Sequence, residues 1–173
     1  MRVIGGEFRS RVLKSPTGPG VRPTPDRLRE TLFNILAPRI AGAVFADVYA
    51  GTGSVGIEAI SRGAARAIFI EYNRAAVNVI RENLRSLKLE NRTEVRQGKA
   101  ISILAALRAD IVFVDPPYDA ESEYAGALSA LGENKGNFVV VQHSTHLELL
   151  DEYGKLRRSR MLKQGSNAMS FYE

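Results

Sequence analysis

Cysteine is absent from this sequence of 173 residues, which excludes disulfide bonds and thiolate ligands for a metal. Histidine occurs only twice, and a zinc site is therefore not expected. The sequence also lacks an apolar run as long as a membrane span, and its start does not have the pattern of a signal peptide. We expect a cytoplasmic protein with no metal and no membrane-spanning segment.

The residues that are present have the balance of a soluble globular protein, 45% apolar and 25% charged. The length suits one domain of ordinary size, and no internal repeat is visible. We therefore expect a single domain over residues 1–173, in which residues 41–173 form the core and residues 1–40 form a basic extension. A monomer is the expected oligomeric state.

The positive charge is concentrated at the start of the chain. The first 40 residues hold eight basic and three acidic side chains, so they account for the whole net charge of +5. A basic surface of this kind is typical of a protein that binds a polyanion, although it can also be a solvated surface without a ligand. The candidate binding residues are Arg2, Arg9, Arg11, Lys14, Arg22, Arg27 and Arg29.

Local patterns in the same region predict a hairpin and then a helix. Residues 2–4 and 8–13 each resemble a short strand, with two glycines at the turn between them. Thr24 is placed to cap a helix that has Pro25 at its first position. Arg27 and Arg29 lie mostly off the apolar face of that helix, which would leave them free to meet phosphates. The apolar face consists of Leu28, Leu32, Ile35 and Leu36.

The sequence is organised around a glycine-rich turn that follows an apolar run at residues 44–49. This run predicts a buried parallel strand, and a helix is expected to start near Val55. Such a strand, turn and helix form a nucleotide pocket lined by backbone N–H groups. The glycine spacing is also that of dinucleotide-binding dehydrogenases. The three glycines are Gly51, Gly53 and Gly56.

Two acidic residues change the interpretation of this pocket. Asp47, inside the strand, would repel a pyrophosphate and would favour a ligand that carries a positive charge. Glu71 ends the next apolar run, at residues 67–70, where it can accept hydrogen bonds from the hydroxyls of a ribose. A ligand with a ribose, an adenine and a cation but no phosphate is S-adenosylmethionine. The alternatives are a loop-bracing carboxylate for Asp47 and an exposed strand-end charge for Glu71.

After the glycine turn, predicted strands and helices alternate, which indicates an α/β domain with a mostly parallel sheet and ligands at the carboxyl ends of its strands. Asn73 is expected to cap the helix that follows the second strand. The further strands are expected at residues 93–97, 109–114, 138–142, 155–162 and 168–172, the last two joined through Gly165, and the further helices at residues 101–107 and 121–131.

The tetrapeptide Asp115-Pro116-Pro117-Tyr118 follows the fourth strand, beside the cofactor pocket. The two prolines remove N–H groups, so that carbonyl oxygens are presented without competing donors. A carboxylate and a carbonyl that accept from an amine, together with a ring for stacking, suit a planar base with an exocyclic NH2 group. The alternative is a stiff loop with a packed tyrosine.

These blocks together resemble the amino-methylating class I S-adenosylmethionine-dependent methyltransferases, and in particular the bacterial small-subunit ribosomal RNA guanine-N2 methyltransferases of the RsmD type. The resemblance rests on residues 2–11, 22–30, 32–34, 47–64, 115–118 and 171–172. It implies a Rossmann-like fold with a seven-stranded sheet, a last antiparallel strand and helices on both faces. It also implies that the partner is small-subunit ribosomal RNA, free or in an assembling subunit, and that the basic extension holds this RNA.

The chain departs from the pattern of this family at two places. Lys99 stands where an acidic residue often binds the adenine amino group, so the adenine would depend on backbone groups near residues 98–100. Gln142 and His143 stand where relatives tend to have an acidic residue.

The motifs and the resemblance give two sets of candidate site residues besides the basic ones. The candidate catalytic residues are Asp115, Pro116, Pro117 and Tyr118. The candidate cofactor-binding residues are Asp47, Tyr49, Ala50, Gly51, Thr52, Gly53, Glu71, Tyr72, Asn73, Gly98, Lys99 and Ala100.

Three other functions compete with guanine-N2 methylation. An adenine-N6 methyltransferase that acts on DNA shares the Asp-Pro-Pro-Tyr turn, but such enzymes usually need a separate domain that reads the sequence. A dehydrogenase is disfavoured by Asp47. A non-catalytic RNA-binding module would have no use for an intact Asp115 turn.

Overall fold

The computed structural model describes residues 1–18, 23–117, 119–134 and 136–173. Helices and strands alternate along most of the chain, as the apolar patterns predict. The helices are α1 (Asp26–Ile40), α2 (Ser54–Ser61), α3 (Arg74–Ser86), α4 (Ala100–Leu104) and α5 (Glu121–Gly132). The strands are β1 (Val44–Val48), β2 (Arg66–Glu71), β3 (Thr93–Gln97), β4 (Ile111–Val114), β5 (Phe138–Ser144), β6 (Glu152–Tyr153), β7 (Leu156–Gln164) and β8 (Asn167–Tyr172).

All the strands belong to one sheet with the order β3-β2-β1-β4-β5-β8-β7-β6. The first five strands pair in parallel, and β8 inserts antiparallel between β5 and β7. This confirms the mostly parallel sheet and the antiparallel last strand. The sheet has eight strands rather than seven, because the two-residue β6 adds to the edge of β7. The strand order reverses between β1 and β4, and in open α/β sheets ligands bind at such a point.

Helices cover both faces of the sheet and bury its apolar side chains. On one face, α1 and α2 pack over β1, β4 and β5, where the ring centroids of Phe33 and Phe45 lie 6.0 Å apart. The other face is covered by α4 and α5, and Leu104 and Leu128 are fully buried there. The central strands β1 and β4 are buried on both faces, which explains why their sequences are almost continuously apolar.

The start of α1 differs from the prediction. The helix begins at Asp26, and Pro25 occupies the N-cap position without a side-chain hydrogen bond. The expectation that Thr24 caps the helix was therefore wrong. The hydroxyl of Thr24 instead donates to the carboxylate of Asp115, which is distant in sequence. The predicted cap at Asn73 is confirmed, because its side-chain oxygen accepts from the backbone N–H of Ala76 at 3.0 Å.

Residues 1–14, which we call the N-terminal segment, form only part of the predicted hairpin. A single antiparallel bridge joins Arg2 and Val12, whereas residues 5–10 form bends and turns. The predicted strand at residues 8–13 was thus wrong over its first half. The reason is that the backbone here bonds to core side chains instead of to a strand partner, since the N–H of Phe8 donates to the hydroxyl of Ser61.

Buried polar groups of the core hold the N-terminal segment in place. The carboxylate of Glu58, which is fully buried, accepts from the backbone N–H groups of Ile4 and Gly5 at 2.9 and 2.8 Å. The amide of Asn83 bonds to both backbone groups of Lys14 and also donates to the carbonyl of Thr52. The segment is therefore fixed at both of its ends.

Within the part of the chain that the structure describes, no helix combines the length and the apolar character that crossing a membrane requires.

Candidate active site

A cavity of about 730 Å³ lies at the carboxyl ends of β1 and β4, where the glycine turn meets the segment after β4. The predicted residues that line it are Asp47, Tyr49, Ala50, Gly51, Thr52, Glu71, Asn73, Asp115, Pro116 and Pro117. Tyr118 lies outside the described residues. The fold thus brings the predicted cofactor turn and most of the predicted catalytic turn into one space.

Other predicted cofactor residues are not among those that line this cavity. Tyr72 is largely exposed, and Gly98 and Lys99 occupy the turn between β3 and α4, where Ala100 begins that helix. Gly53 forms the N-cap of α2. Their assignment to the cofactor stays a prediction.

The glycine turn needs its glycines for two different reasons. Gly51 and Gly53 have positive φ angles of 55° and 77°, which suit glycine and strain other residues. Gly56 permits close packing, because a Cβ atom there would lie 2.4 Å from the ring of Phe69. The turn is therefore held tightly against β2.

Asp47 is buried beneath this turn, and its carboxylate accepts from the backbone N–H of Gly56 at 2.9 Å. It braces the first turn of α2, which is the alternative that the sequence left open for this residue. Burial raises the pKa of Asp47, the hydrogen bond from Gly56 lowers it, and the nearby acids Asp115 and Glu71 raise it; the resulting pKa is about 8. A cation that enters the cavity would favour the ionised carboxylate.

Asp47 therefore predicts a pH dependence of the free energy of unfolding. Its pKa of about 8 lies above the ordinary 3.8, so between these values the folded protein holds a proton that the unfolded chain has released. Stability should fall as the pH rises through this range and stop falling once the folded carboxyl is ionised. In Asp47→Asn the side chain cannot ionise, and this decline should disappear.

Urea unfolding of the wild type and Asp47→Asn between about pH 5 and about pH 9 measures the effect. From the low to the high end of this pH range, the free energy of unfolding of Asp47→Asn should rise relative to that of the wild type by more than about 1 kcal/mol. One pKa unit corresponds to about 1.4 kcal/mol. Asp119→Asn changes an exposed acid at the same cavity and should follow the wild type. A difference that stays constant with pH would show that Asp47 is already ionised in the folded protein.

Glu71 closes the opposite side of the glycine turn. One of its carboxylate oxygens accepts from the N–H of Gly51 at 2.9 Å, and the other accepts from the N–H of Asn73 at 2.8 Å. Glu71 therefore holds the backbone of the glycine turn and is not merely an exposed charge at the end of a strand, which was the alternative interpretation. Each oxygen has two acceptor lone pairs, so the carboxylate can still accept from a bound hydroxyl.

Asp115 directly follows β4 and faces the same cavity. The hydroxyl of Thr24 lies 3.4 Å from one of its carboxylate oxygens. The carbonyl of Pro116 accepts from the buried phenol of Tyr124 at 3.3 Å and keeps a second lone pair. The start of α1 and a side chain of α5 thus fix the predicted catalytic turn from two sides.

Thr24 and Gln142 line the cavity although sequence reasoning assigned neither of them to the site. Thr24 was interpreted through local capping preferences, which do not show that the start of α1 packs against the end of β4. In sequence, Gln142 stands out as the first polar residue after the apolar run of β5 and as a departure from the family pattern, and these are the signals that could have found it.

The described residues of the cavity wall include no basic side chain, and its acidic side chains are Asp47, Glu71, Asp115 and Asp119. This surface disfavours a pyrophosphate and favours a cationic ligand. Among the described residues, no group of three histidine, aspartate or glutamate side chains is placed to hold a metal ion.

The predicted basic surface is mostly present, with one correction. Arg2, Arg9, Arg11, Lys14 and Arg27 are exposed, whereas Arg22 lies outside the described residues. Arg29 is fully buried and was wrongly expected to be free for phosphates.

The buried Arg29 guanidinium donates to the carbonyl of Arg2 at 2.8 Å and to Asp26 at 3.0 Å. Burial lowers its pKa, while the charges of Glu58 and Asp26 oppose this shift. Arg29 therefore contributes to holding the N-terminal segment rather than to the exposed surface.

The sheet order, the glycine turn at the reversal of that order and the Asp-Pro-Pro turn after β4 together define a class I methyltransferase fold. Sequence comparison then identifies the family. The model of the family described as "Conserved hypothetical protein 95" matches residues 1–173, and the chain belongs to this family.

Two relatives show what the chain is similar to in sequence. YlbH of Bacillus subtilis, provisionally named an rRNA methyltransferase, is 32% identical over 182 residues, which cover 100% of this chain and 98% of that protein. Ribosomal RNA small subunit methyltransferase D of Escherichia coli is 49% identical over 120 residues. That match covers 68% of this chain and 60% of the relative.

Solved structures share the fold. The Escherichia coli protein yhhF, provisionally named a methyltransferase, superposes with a TM-score of 0.83 at 36% identity, covering 99% of this chain and 96% of that one. SMU.776, also provisionally a methyltransferase and solved with SAH, superposes with a TM-score of 0.67 at 11% identity, covering 83% of this chain and 48% of that one. At this identity the second likeness is one of fold alone.

Proposed function

We propose that this protein transfers a methyl group from S-adenosylmethionine to the exocyclic N2 amine of a guanine in small-subunit ribosomal RNA. The observation that carries the proposal is the shared cavity, where a glycine turn and an Asp-Pro-Pro turn meet and the described wall has acidic but no basic side chains. Relatives named as ribosomal RNA methyltransferases support the activity and the kind of substrate.

The cavity fits S-adenosylmethionine in shape and charge. Gly51 and Gly53 allow the backbone to approach a ligand, and Glu71 offers acceptors for ribose hydroxyls. Asp47 and the other acids favour a sulfonium cation over a pyrophosphate, which argues against the dehydrogenase alternative. A neighbour of the same fold was solved with SAH, the compound that remains after methyl donation.

When bound, S-adenosylmethionine would supply an electrophilic methyl group to the amine nitrogen, with S-adenosylhomocysteine as the leaving group and the amine proton released to water. The residues of the chain mainly position the amine, a contribution that can be worth roughly 7–11 kcal/mol. Asp115 and the Pro116 carbonyl accept hydrogen bonds from the amine, which directs its lone pair and stabilises the developing positive charge. Thr24 and Tyr124 keep these two acceptors in place.

The substrate reaches this cavity as an unpaired base, because an amine inside a base stack cannot enter it. The exposed arginines of the N-terminal segment hold the phosphates of the surrounding RNA. Residues 16–18 and 23–25 join that segment to α1 and form part of the cavity wall. A ribosomal RNA substrate also implies that the protein acts in the cytoplasm, on free RNA or on an assembling subunit.

The test is methyl transfer from labelled S-adenosylmethionine to total RNA and to small ribosomal subunits from a strain that lacks this protein, followed by nucleoside analysis. The expected product is N2-methylguanosine in small-subunit RNA. N6-methyladenosine would assign the protein to the adenine-methylating alternative. Absence of labelled nucleoside from both substrates would exclude the proposed activity.

Replacing Arg9 and Arg11 together by alanine should weaken RNA binding and flatten its salt dependence. Each lost phosphate contact should reduce the slope of log K against log salt by about 0.7–0.9. Both arginines are exposed and lie away from the glycine turn, so the affinity for S-adenosylmethionine should not change. Filter binding over a range of salt concentrations measures the slope.

Arg66 and Arg108 provide a matched control for this double variant. Both are exposed and lie near the amino ends of β2 and β4, at the edge of the sheet opposite the cavity. Replacing both by alanine removes the same charge and should leave RNA affinity and slope close to those of the wild type. Equal losses in the two double variants would mean that net charge, and not the N-terminal segment, governs binding.

A further inference from the structure

Gln142 lies at the point of the sheet where the reacting base is expected. Val114, the last residue of β4, pairs with Val141 of β5 in parallel register, so Asp115 and Gln142 come next along the two neighbouring chains. Both line the cavity, and Gln142 is only 3% exposed. A nearly buried amide thus lies beside the carboxylate that is proposed to orient the amine.

The side-chain oxygen of Gln142 is buried and has no hydrogen-bond partner among the described residues. The backbone of Gln142 is already paired with Met169 of β8, and the side chain is not needed for the sheet. A buried acceptor without a donor is unfavourable, and an apolar residue would fill this position of a buried strand at lower cost. The terminal torsion of the glutamine is broad, so the amide can turn toward a donor that enters the cavity.

The chemistry of the purine edge indicates which donor this is. In guanine the exocyclic N2 amine is flanked by the ring N1–H, a donor, whereas in adenine the N6 amine is flanked by a bare N1, an acceptor. Asp115 accepts from the amine under the proposed function, so an acceptor on the next strand is placed to meet the neighbouring ring position. An oxygen at this place accepts from the N1–H of guanine, whereas with adenine it would face the bare N1, which is also an acceptor.

We propose that Gln142 is the base-selecting residue of this site: its amide oxygen accepts a hydrogen bond from the ring N–H beside the amine that is methylated. The proposal rests on the proposed function and extends it to the choice between purines. Asp115 orients the amine of either purine, whereas Gln142 distinguishes guanine from adenine by the ring position beside that amine.

The test compares two RNAs that differ in one base. One carries guanine at the methylated position, and the other carries 2-aminopurine, which keeps the amine but has a bare nitrogen in place of the N1–H. We expect wild-type kcat/KM to favour guanine by tenfold or more. In Gln142→Leu and Gln142→Met, kcat/KM on the guanine RNA should be lower and kcat/KM on the 2-aminopurine RNA should change little. The values for the two RNAs should then differ by less than threefold. Gln142→Glu keeps an acceptor and should retain the preference.

Two further measurements separate base selection from a structural role. Equilibrium binding of the two RNAs in the presence of S-adenosylhomocysteine should show the same loss of preference in the leucine and methionine variants. Their unfolding midpoints should stay within a few degrees of the wild-type value, since no hydrogen bond of the fold is removed. A variant that binds and methylates both RNAs with the wild-type ratio would overturn the role of Gln142 while leaving the proposed function intact. Absence of N2-methylguanosine with the wild-type protein would overturn both.

Discussion

Asp115→Ala is expected to reduce methyl transfer by at least about a hundredfold, the range seen when one preorganised group that stabilises developing charge is removed. Asp115 follows β4 at the cavity and is not part of the buried core of that strand, so the fold should survive the change. Binding of S-adenosylmethionine should be largely retained, because the glycine turn and Glu71 are untouched. Single-turnover rates and calorimetry on the same preparations separate the two effects.

Asp119→Ala is the matched control for Asp115→Ala, because it removes an exposed acid from the same cavity wall. It should change the rate much less than Asp115→Ala does. Asp115→Asn keeps one oxygen as an acceptor for the amine and should fall between the wild type and the alanine variant. Undiminished turnover by Asp115→Ala would mean that the reacting amine lies elsewhere and that the cavity has been assigned the wrong chemistry.

Glu58→Ala is expected to lower the free energy of unfolding by about 3–5 kcal/mol, the range for removing one member of a buried ion pair. Glu58 is fully buried and accepts from Ile4, Gly5 and the guanidinium of Arg62. Its loss leaves all three partly buried donors without this acceptor. Urea unfolding measures the change, and hydrogen exchange of residues 1–14 shows whether the N-terminal segment is released.

Glu82→Ala gives the comparison for an exposed ion pair of the same segment. Glu82 pairs with Lys14 at 2.8 Å, and both side chains are well exposed, so its removal should hardly affect stability. We expect Glu58→Ala to weaken RNA binding as well, since the exposed arginines depend on a fixed N-terminal segment. Unchanged stability and unchanged exchange in Glu58→Ala would show that other contacts, such as those of Asn83, hold the segment without the carboxylate.

The alternation of helices and strands was predictable from sequence because it depends on the local periodicity of apolar residues. The third strand was predicted at residues 93–97 and is observed as Thr93–Gln97. The helix expected at residues 101–107 is shorter, and α4 ends at Leu104. Strand and helix periodicities depend on near neighbours, whereas the place where a helix stops depends on what it packs against.

The meeting of the two motif turns was also predictable, because parallel strands on either side of a reversal in strand order end at the same edge. Asp47 lies on β1, Asp115 directly follows the neighbouring β4, and both line the cavity. The sequence could not show how the acids are held. The hydrogen bonds from Gly56 to Asp47 and from Gly51 to Glu71 depend on the exact path of the glycine turn.

Sequence by itself therefore determined the class of fold, the glycine turn and the acidic character of the site, all of which depend on residue type and spacing. Only the tertiary structure decided which charged groups are surface and which are interior. Arg29 and Arg27 are two residues apart on one helix, yet Arg29 is buried against the carbonyl of Arg2 while Arg27 is exposed. Thr24 likewise faces Asp115 instead of capping its own helix. Both outcomes depend on contacts with residues far along the chain, and helix periodicity carries no information about such contacts.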